Sequence, residues 1–278
     1  MRAKYGETPN QARNMLFIRS LLFKICLVLV TIIEMALFTP FYFFLPHKAA
    51  WIVPRSWARS LFWLQKYLVG LNYRVEGSEN LPQGPYIVAA KHQSTWETLV
   101  LPLYIPDPSF ILKRELLWIP FLGWFLAKMG MVPINRGAPL QALKILIAKG
   151  KEKAAQNRQI IIFPEGTRKE PGAAPAYKPG LFPIYAELGL PVVPVALNSG
   201  LYWPKKRFCL YPGTIKCRIL PPIPPGLPRR DFMQKLEAVI ENNCDILLAE
   251  AAAAPRPPYL PPVAAARLRA IEALRAPE

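Results

Sequence analysis

The sequence predicts an α/β layered domain with a largely parallel sheet flanked by helices, preceded by an N-terminal membrane-associated helical hairpin. Three observations predict it. Beyond about residue 75, short β-rich runs punctuated by Gly and Pro alternate with helical patterns, the signature of a layered α/β domain. The first 74 residues are dominated by apolar and aromatic runs. The whole chain of 278 residues is 52% hydrophobic and 19% charged. That is too apolar for a disordered chain, and the apolar residues are too evenly spread for a pure membrane bundle.

The first run, Met15 to Leu45, is interrupted only by Arg19, Lys24 and Glu34. It exceeds the roughly 20 apolar residues that cross a bilayer. Lys24 and Glu34 lie inside it, and a charge near the bilayer centre costs about 2.5–3.5 kcal/mol on insertion scales. A second stretch, Trp51 to Leu71, interleaves Trp51, Trp57, Phe62, Trp63 and Tyr67 with Arg55, Arg59 and Lys66, as headgroup-layer segments do. No small-residue cleavage site follows, so a secretory signal fits poorly. One or two spans, a hairpin dipping into one leaflet, and a buried soluble hairpin are the readings open. We expect the one-leaflet anchor. It keeps the following domain on the same side as the N-terminus.

Strands are predicted at Tyr86–Ala90, Ser109–Leu112, Met131–Ile134, Ile160–Phe163 and Val192–Leu197, with further ones at Arg207–Tyr211 and Ile215–Ile219. Helices are predicted at Trp96–Tyr104, Glu115–Met129, Leu140–Gln156, Leu181–Leu188 and Asp231–Glu250. Between these last groups, Pro221-Pro222-Ile223-Pro224-Pro225 can be neither helix nor central strand. The organisation expected is an anchoring hairpin over 1–74, a domain over 75–250, and an Ala/Pro-rich tail over 251–278 that is loosely ordered apart from a small helix.

Charge and composition narrow the chemistry. The chain carries 35 Lys+Arg and 18 Asp+Glu, a net +17. Residues 1–74 hold ten of those cations against two acids, and the remainder 25 against 16. An anionic membrane and nucleic acid both attract such a surface, and the N-terminal apolar runs favour the membrane. Four scattered cysteines without a CxxC pair argue against a disulfide scaffold or zinc ribbon. Only His47 and His92 are available as an imidazole base, so no three-histidine metal site can be built. Phosphate-loop and dinucleotide fingerprints are missing, and Ser199 in Asn198-Ser199-Gly200 lacks the GxSxG elbow. We read His47, beside Pro46, as interfacial.

Ligand sites in open α/β sheets gather at the carboxyl ends of strands, and three sequences sit there. In KHQSTWE, His92 and Glu97 are five residues apart. On one helix they would point about 140° apart, so they meet only if His92 lies in the turn ahead of it. Glu97 could then hold one ring nitrogen and leave the other free as a base. Ser94-x-x-Glu97 is equally a capping box needing no chemistry. In FPEGTR, Gly166 allows close backbone approach and Arg168 offers a planar fork for phosphate oxygens, unless Glu165 and Arg168 pair in an ordinary loop. Lys113, Arg114 and Arg136 add cations at comparable strand ends.

Four blocks in this order resemble the glycerolipid acyltransferases, especially the bacterial 1-acylglycerol-3-phosphate acyltransferases. They are His92-x-x-x-x-Glu97, the stretch from Lys113-Arg114-Glu115-Leu116 to Ile134-Asn135-Arg136, Phe163 through Arg168, and Leu190 through Val195. The resemblance covers about residues 75–200 and extends to the N-terminal hairpin. It implies that His92 is the general base and Glu97 its orienter. Lys113, Arg114, Arg136 and Arg168 would hold phosphate, and Glu165, Gly166 and Thr167 would shape the acceptor pocket. The family usually has Asp where this chain has Glu97; one more methylene still reaches the imidazole. The implied reaction moves a fatty acyl group from acyl-CoA or acyl carrier protein to the 2-hydroxyl of lysophosphatidate, giving phosphatidic acid at the cytoplasmic face of the inner membrane. No metal or other cofactor is implied, and no nucleic acid. Acylation of another lyso-lipid or of glycerol-3-phosphate, or lipid binding without turnover, are the alternatives.

Overall fold

The computed structural model describes residues 10–275 apart from Arg136. The chain opens with α1 (Asn10–Tyr42), turns through α2 (His47–Ala50) and returns in α3 (Ile52–Leu64), forming the expected hairpin. The two half-buried charges Lys24 and Glu34 of the apolar run find partners. Ser60 donates to Glu34 at 2.7 Å, and the Lys24 ammonium sits 3.7 Å over the Phe208 ring. One face of α1 packs on the domain: Phe23 is fully buried against Trp203, and Ser20 exchanges hydrogen bonds with Leu210. Elsewhere along α1, Ile18, Leu29, Ile32, Ile33 and Leu37 are exposed.

A π-helical turn at Gln65–Val69 leads into β1 (Leu71–Glu76), which straddles residue 74, where the sequence pattern changes. Then follow β2 (Ile87–Ala90), α4 (Trp96–Tyr104), β3 (Pro108–Lys113), α5 (Leu122–Lys128), β4 (Val132–Ile134), α6 (Pro139–Ala155), β5 (Gln159–Ile162), α7 (Leu181–Leu188), β6 (Val192–Leu197), α8 (Ser199–Tyr202), β7 (Gly213–Ile219), α9 (Arg229–Ala252) and α10 (Pro262–Arg275). The sheet order is β1-β7-β6-β2-β5-β3-β4. All neighbours pair in parallel except β6 with β7. The α/β class and largely parallel sheet thus stand as expected. In β2, Ile87 and Ala89 face one apolar layer while Val88 and Ala90 face the other. A strand covered on both faces has no polar alternation, as its sequence IVAA displays.

Three elements differ from the sequence reading. The helix expected over Glu115–Met129 is broken. A 3-10 turn at Arg114–Trp118 ends before Pro120, Phe121 takes φ 63°, and only then does α5 begin. Pro120 cannot donate the amide that a continuous helix requires. Residues Arg207–Tyr211 form no strand; they belong to the loop that receives α1. The tail is not loose: Ala264, Leu268 and Ile271 of α10 enter the main core, and Arg267 forks onto Asp245 of α9.

A polar staple fastens the hairpin to the domain. Asp107 accepts from Trp51 Nε1 at 2.9 Å, lies 3.0 Å from His47 Nε2, and pairs with the buried Arg158 at 3.1 Å. Burial opposes the carboxylate's charge. The hydrogen bonds from Trp51 and His47 and the Arg158 guanidinium outweigh it, holding Asp107 below the usual carboxylate range. His47 is therefore part of this staple.

Candidate active site

β2 delivers Lys91 and His92 to the carboxyl end of the sheet, and the chain turns before α4 starts at Trp96. That turn brings His92 and Glu97 together: Nδ1 lies 2.8 Å from Oε1. The same Oε1 accepts the backbone N–H groups of Gln93 and Ser94, each at 2.7 Å. The capping contact and the histidine contact are thus made by one carboxylate. Its other oxygen accepts from Ser199 Oγ at 2.8 Å. Glu97 is fully buried, so these donors replace the water that a carboxylate would otherwise need. Because Oε1 is an acceptor, the imidazole donates through Nδ1–H and keeps Nε2 as the basic nitrogen. The His92 ring stacks on Phe163, centroids 3.9 Å apart and 18° from coplanar, which fixes its plane.

The turn after β6 is clipped onto this motif. Gln93 Oε1 accepts from the Gly200 amide at 3.1 Å. A Cβ on Gly200 would lie 2.9 Å from Gln93 Cβ and 2.9 Å from Pro171 Cγ, so the approach requires glycine. The FPEGTR segment is held against the same turn. Gly166, at φ 65°, lets the chain reverse, and the Lys169 N–H donates to the His92 carbonyl at 2.8 Å. Arg168 therefore comes within one residue of the His92 backbone. It lines a cavity of about 250 Å³ together with Gln93 and Lys169.

Other expected site residues lie elsewhere. The family resemblance implies a place for Glu165 around an acceptor pocket with Gly166 and Thr167. Its carboxylate is instead 2% exposed, directed at Lys91 Nζ at 3.2 Å. Lys91 also bonds both oxygens of Glu241, at 2.8 and 3.0 Å, and Tyr177 donates to Glu241 at 2.9 Å. Burial pushes the Glu165 carboxyl up despite Lys91. These groups brace FPEGTR against β2 and α9. Thr167 is exposed and Gly166 half-buried. Lys113 is exposed and pairs with Glu115 at 3.1 Å, while Arg114 lies 5.4 Å over Trp118. Lys113 ends β3 and Arg114 follows it, two strands from β2 or about 10 Å across the sheet, and neither lines the Arg168 cavity. Arg136 lies outside the described residues. Nothing in the local sequence spacing marks Phe163 and Ser199 as supports of His92 and Glu97, or Lys91 as the partner of Glu165 and Glu241. Ser199 is 102 residues from Glu97, so no local spacing could connect them.

Comparison with known proteins points the same way. A family model described as Acyltransferase matches residues 72–198. A 1-acyl-sn-glycerol-3-phosphate acyltransferase of Pseudomonas aeruginosa is 42% identical over 178 residues, 64% of this chain and 69% of that protein. The Saccharomyces cerevisiae enzyme of the same name is 33% identical over 182 residues, 64% of this chain but only 58% of its own length. The crystal structure of the 1-acyl-sn-glycerophosphate acyltransferase PlsC from Thermotoga maritima superposes with a TM-score of 0.70 at 26% identity, covering 83% of this chain and 96% of that one. By this family-model match and by its 42% identity to a relative of which it spans 69%, the chain belongs to the glycerolipid acyltransferase family.

Proposed function

We propose that this protein transfers a fatty acyl group from a thioester to the 2-hydroxyl of 1-acylglycerol-3-phosphate, forming phosphatidic acid for phospholipid synthesis. The observation that carries the reading is the 2.8 Å contact of His92 with a buried, fully satisfied Glu97 at the sheet edge, beside the Arg168 loop. An alcohol is a weak nucleophile at neutral pH. Nε2 of His92 takes the hydroxyl proton as the oxygen attacks the thioester carbonyl, an effect worth about 10²–10⁴-fold. The tetrahedral intermediate collapses with cleavage of the C–S bond. The thiolate of coenzyme A or acyl carrier protein leaves and recovers the proton from the imidazolium. Glu97 holds the ring and stabilises its charged form. Arg168 binds the acceptor phosphate and so fixes the hydroxyl at His92. The Gln93 and Ser94 amides are engaged by Glu97 and the Trp96 amide by Ser94 Oγ, so they are not the oxyanion donors.

The acceptor and product are lipids, which gives the N-terminal hairpin its purpose. Residues Arg13–Tyr42 are long and apolar enough to cross a membrane. Yet α1 touches the domain near both ends, through Phe17 on Phe208 and Tyr42 on Phe125. A helix held at both ends lies along the domain rather than projecting from it. This favours immersion in one leaflet of the inner membrane, with the domain on the cytoplasmic side.

The test is purified full-length protein in detergent, given labelled acyl-CoA or acyl carrier protein and a panel of lyso-acceptors. Lysophosphatidate should be acylated, and His92→Ala should abolish transfer without changing the unfolding temperature. Undiminished transfer by that variant would remove His92 from the chemistry.

A further inference from the structure

We propose that the cavity beside the His92 turn is a phosphate-ester pocket whose outer cations come from the loop after α8 and are positioned by the C-terminal segment. The inference rests on the acyl-transfer reading and extends it to residues beyond the family match, which ends at 198. Arg168 and Lys169 line the cavity together with Lys205, Lys206 and Arg207. Five cations thus face Glu170 as the only carboxylate among the lining residues. Among the described residues, none of the five is in an ion pair. By contrast Lys151, Arg158, Lys216, Arg218 and Arg267 all are. Like charges converging unpaired on a concave surface repel one another and raise the local positive potential, and an anionic ligand relieves both.

Arg207 is pre-oriented for that ligand. Its guanidinium carbon sits 4.0 Å over the Tyr259 ring, and Tyr259 stacks in turn on Tyr211 with centroids 6.0 Å apart. Stacking occupies the flat face of the guanidinium. The part of its N–H edge that the Tyr259 and Tyr211 hydroxyls do not engage can grip phosphate oxygens. Tyr259 lies between α9 and α10, so the docking of α10 into the core is what holds it in place. The segment after residue 252 thereby has a role in the site.

Two phosphate esters meet at such a site: the acceptor's glycerol phosphate and the nucleotide phosphates of a coenzyme A donor. Full-length wild type, Arg207→Gln, Tyr259→Leu and Tyr259→Phe would be compared in detergent. Acceptors would be lysophosphatidate and monoacylglycerol; donors would be acyl-CoA and acyl-pantetheine. Arg207→Gln should raise KM for one phosphate-bearing substrate about tenfold, the loss of one charge-assisted contact, and change its phosphate-free counterpart less than about twofold. Tyr259→Leu should shift the same KM, while Tyr259→Phe, which keeps the ring and removes only the hydroxyl beside the guanidinium, should shift it less. The substrate affected identifies the source. Calorimetric titration with glycerol 3-phosphate and with adenosine 3′,5′-bisphosphate gives a reading independent of turnover. One of the two should bind wild type and bind Arg207→Gln about tenfold more weakly. If neither KM nor titration responds to Arg207→Gln, or if both members of a substrate pair suffer equally, the pocket is overturned. An inactive wild type that still binds one probe through Arg207 would sink the acyl-transfer reading alone.

Discussion

Ser199 matters because of what it does for a neighbour. Its hydroxyl is the donor to the second oxygen of Glu97, and both residues are fully buried. Removing it leaves a buried carboxylate oxygen short of a partner, a cost of about 1–3 kcal/mol. We expect Ser199→Ala to lower kcat by about tenfold with little change in KM, and to move the pH–rate profile, because the ring is then less firmly held. Ser199→Thr, which keeps the hydroxyl, should restore most of the rate. A KM effect with an unshifted profile would make Ser199 a mere packing residue.

Individual elements are attached by contacts that can be broken one at a time. The hairpin depends on the Asp107 staple. Because the Asp107 carboxyl is lowered in the fold, its contribution is full above the ordinary carboxylate range and is lost as pH falls through the lowered value. Thermal stability should therefore decline as pH drops below about 4, and Asp107→Asn should be less stable at neutral pH with a flatter acid limb. Unfolding temperatures across pH 2–7 would check this; identical slopes would exclude Asp107. At the other end of the chain, Leu268 of α10 is 3% exposed in the core. Leu268→Ala should cost about 2–5 kcal/mol in denaturant unfolding, whereas a negligible change would mean the tail is dispensable.

For the whole molecule, α1 serves two solvents at once. Phe23 is buried in the domain, while Leu29 and Ile32 on the same helix are 51% and 59% exposed. Substitutions on the two faces should separate stability from membrane attachment. Phe23→Ala should lower folding stability by about 3–5 kcal/mol. Leu29→Asp with Ile32→Asp should leave the unfolding temperature nearly unchanged but weaken vesicle co-flotation, at a cost of up to about 2.5–3.5 kcal/mol per charge. Unimpaired flotation of the double variant would rule out this face as the lipid contact.

Much of this architecture is written in local pattern. Alternating apolar runs and Gly/Pro punctuation locate β2, β5 and β6 and α4 and α7 to within a residue or two, because strand and helix periods act over a few neighbours. His92-x-x-x-x-Glu97 already restricts its own geometry, since only a turn lets the two side chains meet. Long-range choices are invisible at that level. Which carboxylate Lys91 would neutralise, which hydroxyl would complete Glu97, and which ring would orient Arg207 depend on residues 74, 102 and 52 positions away being folded onto one sheet edge. The same reason explains the tail: an Ala/Pro-rich composition looks unstructured until a core is present for α10 to cover. Chain-local physics determines the elements and singles out His92 and Glu97 as candidates, and burial against distant partners decides how that pair is held and which cations surround it.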